Sequence, residues 1–446
     1  MLSFARKLAV TVAVAVSTTG CVTSFASAAS FDFWYALGGK PGQFIEDQCK
    51  RFNQSQTEHH VNCVFQGDYG EVLQKTIAAY RARKQPALIQ VSGPAVVDMQ
   101  LSGAIVPIEE LTSLAHTPAD WGDLLPPIRA AYSTAGGRLL GQPYNASTLL
   151  FFTNDTLLQK AGVTEAPRTW EDVEATARKL KAAGIACPMA LDFEPWRILE
   201  QFSAAEGAPI ATEDDGSRGL DARYVFDRGP NVRFIADLAR WHRDGLVRLP
   251  QETQAGAFSA AFDSGECAMI LNSTGAFAQS LDTIGRRNRI SPHLMPIYAG
   301  TVWHKTNVGG AALFVMKGFD VPTLKAVAAF LAFVRRPEEA FAMTVATGYL
   351  PITRSALQMV MAGSGISPEM AATIQLGVAS LGKSGADAGQ GLRVGFYVRF
   401  EALYVDAVSR VFQGSATAQG ALTRAREQGD ELLVRFQQTY PGADLY

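Results

Sequence analysis

The chain has 446 residues, too many for one hydrophobic core, so two or three domains are expected. Hydrophobic residues make up 48% and charged residues 18%, the balance of a well-packed globular protein and not of a disordered one. A formal net charge of −2, with no long run of one sign, leaves no electrostatic footprint for nucleic acid.

Residues 1–29 read as a secretory signal peptide. Arg6 and Lys7 open a positive segment, Leu8 to Val16 is a short apolar run, and Ala26-Ser27-Ala28 is a small-residue cleavage signature. The apolar run is too short to span a bilayer. The alternative, lipid attachment at Cys21 within Thr19-Gly20-Cys21, lacks the preceding Leu. No later stretch is long and apolar enough for a membrane helix, so a soluble protein exported to the periplasm is expected. Export permits disulfides. Cys49, Cys63, Cys187 and Cys267 remain, and four cysteines allow three pairings. Cys49 with Cys63 is the easiest to close, because it joins the first helix to the next strand. The alternative for all four is a buried free thiol, since their spacing fits no zinc site.

In chain order, Phe31 to Ala36 reads as a strand, Pro41 to Phe52 as a helix and His60 to Phe65 as a strand. Glu71 to Arg83 reads as a helix and Ala87 to Val91 as a third strand. This alternation predicts a parallel α/β sheet, with ligands at the carboxyl ends of its strands. Gly38-Gly39, Gly67-Asp68-Tyr69 and Ser92-Gly93-Pro94 would share that rim. A second unit begins near Leu149 with a strand to Phe152. Helices follow over 154–160 and 171–183, the latter opened by the capping pair Thr169 and Asp172. Further helices are expected over 196–205 and 232–244, and strands over 268–271 and 312–316. The series Leu324, Val327, Ala328, Leu331, Val334 has helical spacing, and the tail from Tyr397 to Phe436 is largely helical. An apolar helix from Pro337 ends at Gly348, because Gly enters the left-handed region cheaply and Pro351 blocks continuation. Tyr349 then emerges on a short rigid turn, its phenol able to donate to an oxyanion. The plainer alternative is a packed Tyr at a helix end.

Catalytic signatures are missing. There is no Gly-x-Ser-x-Gly, His-Glu-x-x-His or phosphate-binding loop, and the six histidines are scattered. What the residues support is an anion site. Ser273-Thr274-Gly275 lies between a buried strand and a helix, where amides and a hydroxyl face an incoming anion. An ordinary N-cap Ser fits equally well. Gly310 would admit close backbone approach, or simply make a tight turn. In Phe193-Glu194-Pro195-Trp196 the rings could wall a small ligand, Phe193 more than Trp196, which suits a hydrophobic staple.

The mature chain resembles the periplasmic sn-glycerol-3-phosphate-binding components of bacterial ABC importers, within the wider maltose-binding-protein-like group of extracellular solute-binding proteins. The shared stretches occur in order: Gly67-Asp68-Tyr69, Pro86 to Val91, Gln142 to Thr148, Thr169 to Asp172, Gly265 to Met269, Val308 to Ala311 and Thr347 to Thr353. The resemblance implies an α/β, two-lobed periplasmic-binding-protein fold of type II, with the ligand in a hinged cleft. Lobe one would take 30–146 and 300–350, and lobe two 147–299 and 351–446. It implies a non-enzymatic, monomeric receptor with no cofactor or metal. Its partners would be permease subunits and a separate ATPase. The ligand would be sn-glycerol 3-phosphate or a related glycerophosphodiester.

Carried over position by position, the family's ligand contacts fall on Tyr69, Ser147, Ser273, Gly310 and Tyr349. Its aromatic platform falls on Phe193. Two positions depart. Where the family has an acid this chain has Gly93, and where it has an arginine the ungapped match gives Glu401. Arg399 supplies the cation only if the register slips by two. A buried phosphate without a guanidinium loses a strong partner, and a Glu in its place repels it. A sugar receptor of the same fold, and an exported glycoside or phosphodiester hydrolase, are the alternative readings.

Overall fold

The structure, a computed structural model, describes residues 29–382 and 391–445. The signal-peptide reading and Cys21 therefore lie outside the described residues. Two sheets organise the chain. The strands are β1 (Ala29–Tyr35), β2 (His59–Phe65), β3 (Leu88–Ser92), β4 (Ile105–Val106), β5 (Gln142–Ser147), β6 (Leu149–Asn154), β7 (Cys187–Ala190), β8 (Val247–Arg248), β9 (Cys267–Ser273), β10 (Ile290–His293) and β11 (Gly309–Met316).

The first sheet runs β2-β1-β3-β11-β4, with β5 also paired to β11. β1 pairs in parallel with β2 and β3, as the strand–helix alternation predicts. β11 is antiparallel to β3, β4 and β5, so the sheet is mixed. Local pattern could not reveal this, because β11 enters from far along the chain. The second sheet runs β10-β6-β9-β7-β8. Both of its central strands are almost wholly buried, which is why β6 and β9 read as unbroken apolar runs.

Both disulfides form. Cys49 joins Cys63, and Cys187 joins Cys267 where β7 and β9 begin side by side. The capping box of Thr169 and Asp172 closes in both directions. The expected helix over 196–205 is a π-helical turn at Trp196–Gln201 that becomes α-helical at Phe202–Glu206. The tail folds as two long helices, Tyr397–Phe412 and Ala418–Thr439, packed on each other and on Pro230–Arg243.

The chain passes between the sheets at closely spaced points. Only Thr148 separates β5 from β6. Its hydroxyl donates to Thr306 Oγ1 at 2.6 Å, and Thr306 shares a 2.7 Å hydroxyl bond with Ser380. The Gln201 amide holds both the N–H and the C=O of Asn307 at 3.0 Å. All of these groups are buried. At the outer rim, Lys40 forms an ion pair with Asp282, joining a helix of the first sheet to one of the second.

Candidate functional site

A line of side-chain amides fixes the site from below. The N–H of Ala36 must donate, so the Gln90 atom 2.8 Å from it is the oxygen. Gln90 Nε2 therefore donates to Asn145 Oδ1 at 2.8 Å, and Asn145 Nδ2 donates to the Tyr69 hydroxyl oxygen at 2.8 Å. Gln90 and Asn145 are fully buried. Tyr349 hydrogen-bonds with both Asn145 and Tyr69, and these bonds oppose the burial that raises its pKa. Burial likewise holds Tyr69 well above the usual phenol range. Both phenols are neutral near neutral pH and keep their protons for donation.

Tyr349 reaches this point by the predicted route. Helix Pro337–Thr347 is capped by Gly348 in the left-handed region at φ 97°. A side chain there would collide with the Thr274 carbonyl. Leu350 N–H donates to Ala146 O at 2.7 Å, which pins the turn to β5. The Tyr349 ring packs on Gly275, where an added Cβ would stand 2.6 Å from it. The two turns singled out in the sequence, 273–275 and 347–349, therefore meet face to face from opposite sheets.

Ser273 Oγ caps its turn by accepting from Gly275 N–H at 3.1 Å. The α-helix behind it is only Phe277–Asp282, so its dipole adds little and the hydroxyl is what Ser273 offers. A cavity of about 380 Å³ opens beside Ser273 and Tyr349, between Gly38-Gly39-Lys40 of one lobe and Ser259, Asp263 and Gln279 of the other. Gly310, at φ 85°, leaves room for the Asn145 carbonyl, which a Cβ would strike. Its glycine is thus demanded by the β5–β11 junction that orients Asn145.

Ser147 and Trp196 flank Gly309, where a Cβ would meet the Trp196 ring and stand 2.9 Å from Ser147 Oγ. The Trp196 indole N–H is buried without a partner among the described residues. Phe193 is not brought to this group. Its ring stands edge-on to Phe412 at 4.6 Å, against the core of the second sheet. The ring that reaches β11 is that of Trp196, at the start of the π-helical turn, and not that of Phe193.

Arg399 is exposed, with its guanidinium 5.0 Å over the Phe396 ring and its charge felt by Asp98. This placement gives no support to Arg399 as the ligand's basic partner. Two residues along a helix rotate a side chain by roughly 200°, and Glu401 is the one turned inward. Arg393 is 5% exposed and spends its guanidinium on the carbonyls of Ala130 and Ala131, both at 2.8 Å. Gly93 borders open space, its nearest neighbour to an added Cβ being the Val308 carbonyl at 4.0 Å.

Sequence reading passed over Gln90, Asn145 and Glu200 as functional residues. Each is a polar side chain inside a buried run, and that is the available signal. Among the described residues, no group of three His, Cys, Asp or Glu could hold a metal.

Two α/β lobes joined by short crossings, with hydroxyl donors converging between them, define a two-lobed solute receptor. Residues 47–375 match the family of bacterial extracellular solute-binding proteins, and the chain belongs to that family. It is 31% identical over 435 residues to the sn-glycerol-3-phosphate-binding periplasmic protein UgpB of Yersinia pseudotuberculosis, covering 96% of this chain and 98% of that one. The Salmonella typhimurium UgpB is 32% identical over 414 residues, covering 91% and 92%. The fold also matches the GacH receptor of Streptomyces glaucescens, with a TM-score of 0.76 at 19% identity, covering 91% of this chain and 98% of that one. UgpB from Mycobacterium tuberculosis, solved with glycerophosphocholine, matches at a TM-score of 0.70, again at 19% identity and with the same coverage. The family is one of binding proteins and not of enzymes.

Proposed function

We propose that the protein is the periplasmic receptor of an ABC importer and captures sn-glycerol 3-phosphate or a related glycerophosphodiester. The observation that carries this reading is the donor line ending at Tyr349. Asn145 donates to Tyr69, both phenols are held neutral, and Tyr349 packs on Gly275, in the turn of the other lobe that Ser273 caps, so that Tyr349 and Ser273 line one cavity. Such a set of neutral donors suits the oxygens of a phosphoryl group or of glycerol. The names of the UgpB relatives support the same ligand class.

In this reading Tyr69, Ser147, Ser273, Gly310 and Tyr349 line the ligand site, and Trp196 replaces Phe193 as the aromatic wall. Lobe one comprises 30–146 and 300–350 and lobe two the remainder of the mature chain, with closure about Thr148 and Thr306. The closed form docks on permease subunits served by a separate ATPase.

A thermal-shift screen with sn-glycerol 3-phosphate, glycerophosphocholine and maltose tests the assignment. Ligand at 100 times its dissociation constant adds about 2.7 kcal/mol of stability, a readily visible shift. A shift with maltose alone would replace the assignment with a sugar receptor. The receptor catalyses no turnover in this reading. Steady release of glycerol or phosphate, lost on substituting a cleft residue, would establish a hydrolase instead.

A further inference from the structure

The inner face of helix Tyr397–Phe412 carries a charge of the wrong sign for a pure anion receptor. Val398, Tyr397 and Glu401 are spaced to share that face. Val398 leans on the first turn of helix Tyr69–Arg81, where a Cβ on Gly70 would stand 3.9 Å from it. Tyr397 donates its hydroxyl to Glu200, which is 3% exposed. The charges of Glu200, on its own lobe, and of Asp68, the cap that precedes Tyr69 on the other, both act on Glu401.

The Glu401 carboxylate makes no hydrogen bond or ion pair among the described residues. Burial first, then Glu200, then Asp68 push its pKa up to about 8. Tyr224 is 2% exposed, its hydroxyl has no partner among the described residues, and it lies in the field of Glu200, Asp430, Asp98 and Glu401. Arg399, two residues earlier on the same helix, faces Phe396 and Asp98, and Arg426 holds Asp430, which also receives the Tyr224 N–H. A half-buried carboxyl beside a second acid, with no donor and no cation, is a place that a positive group on a ligand would complete.

Resting on the reading of this protein as a glycerophosphoryl receptor, we propose that Glu401 is a specificity-determining residue. It selects ligands that present a positively charged amine or quaternary ammonium to this wall, and it discriminates against a doubly charged phosphate monoester. Glu401 loses its proton when such a cation arrives, so selectivity for the cation strengthens as the pH rises.

The test uses two phosphodiesters whose charges are constant across the relevant pH range, glycerophosphocholine and glycerophosphoglycerol, with sn-glycerol 3-phosphate as the dianion. Calorimetric titrations of the full chain at about pH 6 and about pH 9 bracket the Glu401 transition. For the natural protein, the preference for the choline diester over the glycerol diester should grow on the order of tenfold between the two. Glu401→Gln should give one preference at both, Glu401→Asp should restore the pH dependence, and a thermal melt of each variant shows that it is folded. A preference that does not change with pH, or that changes equally in Glu401→Gln, overturns the proposal. If no glycerophosphoryl compound binds but maltose does, the functional reading falls and the proposal falls with it. If the diesters bind and only the Glu401 dependence is missing, the functional reading stands and the proposal alone fails.

Discussion

At the scale of residues, one backbone amide decides the polarity of the site. Ala36 N–H fixes Gln90, Gln90 fixes Asn145, and Asn145 makes the Tyr69 hydroxyl oxygen an acceptor. Tyr349 stands at the end of that line. Tyr349→Phe should therefore weaken ligand binding by ~1–3 kcal/mol, by leaving a buried acceptor unpaired. Calorimetry checks this, and unchanged affinity in both Tyr349→Phe and Ser273→Ala would remove the pair from the site. Glu401 gives a second expectation, on stability. Its folded pKa of about 8 lies above the ordinary glutamate value of 4.5, so the folded chain holds the extra proton between them. The stability associated with that proton is complete below the unfolded value and is lost as the pH rises through the folded one. Glu401→Gln should abolish this loss, gaining about 1–3 kcal/mol over the natural protein on going from acid to alkaline pH, after allowance for solvent screening. Urea unfolding at the two ends of the range measures it.

At the scale of elements, the two disulfides act on loops of very different length. Cys49 and Cys63 are 14 residues apart and tie a helix to β2, whereas Cys187 and Cys267 are 80 apart and tie β7 to β9 inside the second sheet. In the chain-entropy account, the longer loop confers more stability, by about 1.5 kcal/mol. Replacing Cys187 and Cys267 by Ser should thus lower the melting temperature more than replacing Cys49 and Cys63, as scanning calorimetry would show. Equal losses would place the effect in local packing. The short π-helical turn Trp196–Gln201 matters for a different reason. It begins at Trp196, whose ring meets Gly309, and contains the buried Glu200, so a single irregular turn carries both.

At the scale of the whole molecule, the passage between lobes rests on buried hydroxyls. The Lys40–Asp282 rim pair is half-exposed and so contributes little. Thr148, Thr306 and Ser380 are fully buried and mutually bonded. Thr306→Val keeps the shape but removes the shared hydroxyl, leaving Thr148 only its longer bond to the Asn307 carbonyl and Ser380 its bond to the Gly377 carbonyl. We expect a loss of about 1–3 kcal/mol in unfolding stability. Small-angle scattering should also show a smaller compaction on ligand addition than in the natural protein. A normal melt and normal compaction would show that the crossing tolerates a dry junction.

The sequence by itself determined the elements whose signals are local. The Gly348 cap, the Thr169–Asp172 capping box, the buried strands β6 and β9 and the turn carrying Ser273 all lie where their own residues place them, because caps, turns and periodicity act over a few positions. The motifs around Tyr69, Asn145 and Gly310 were also legible, though not their connection. Tertiary structure alone decided that β11 runs antiparallel beside β3, that Trp196 and not Phe193 meets Gly309, and that Glu401 and not Arg399 faces inward. Each of these depends on partners more than 90 residues away in the chain, or on the rotation of one helical turn. A one-residue change of phase there exchanges an inward side chain for an outward one at no cost visible in the local sequence.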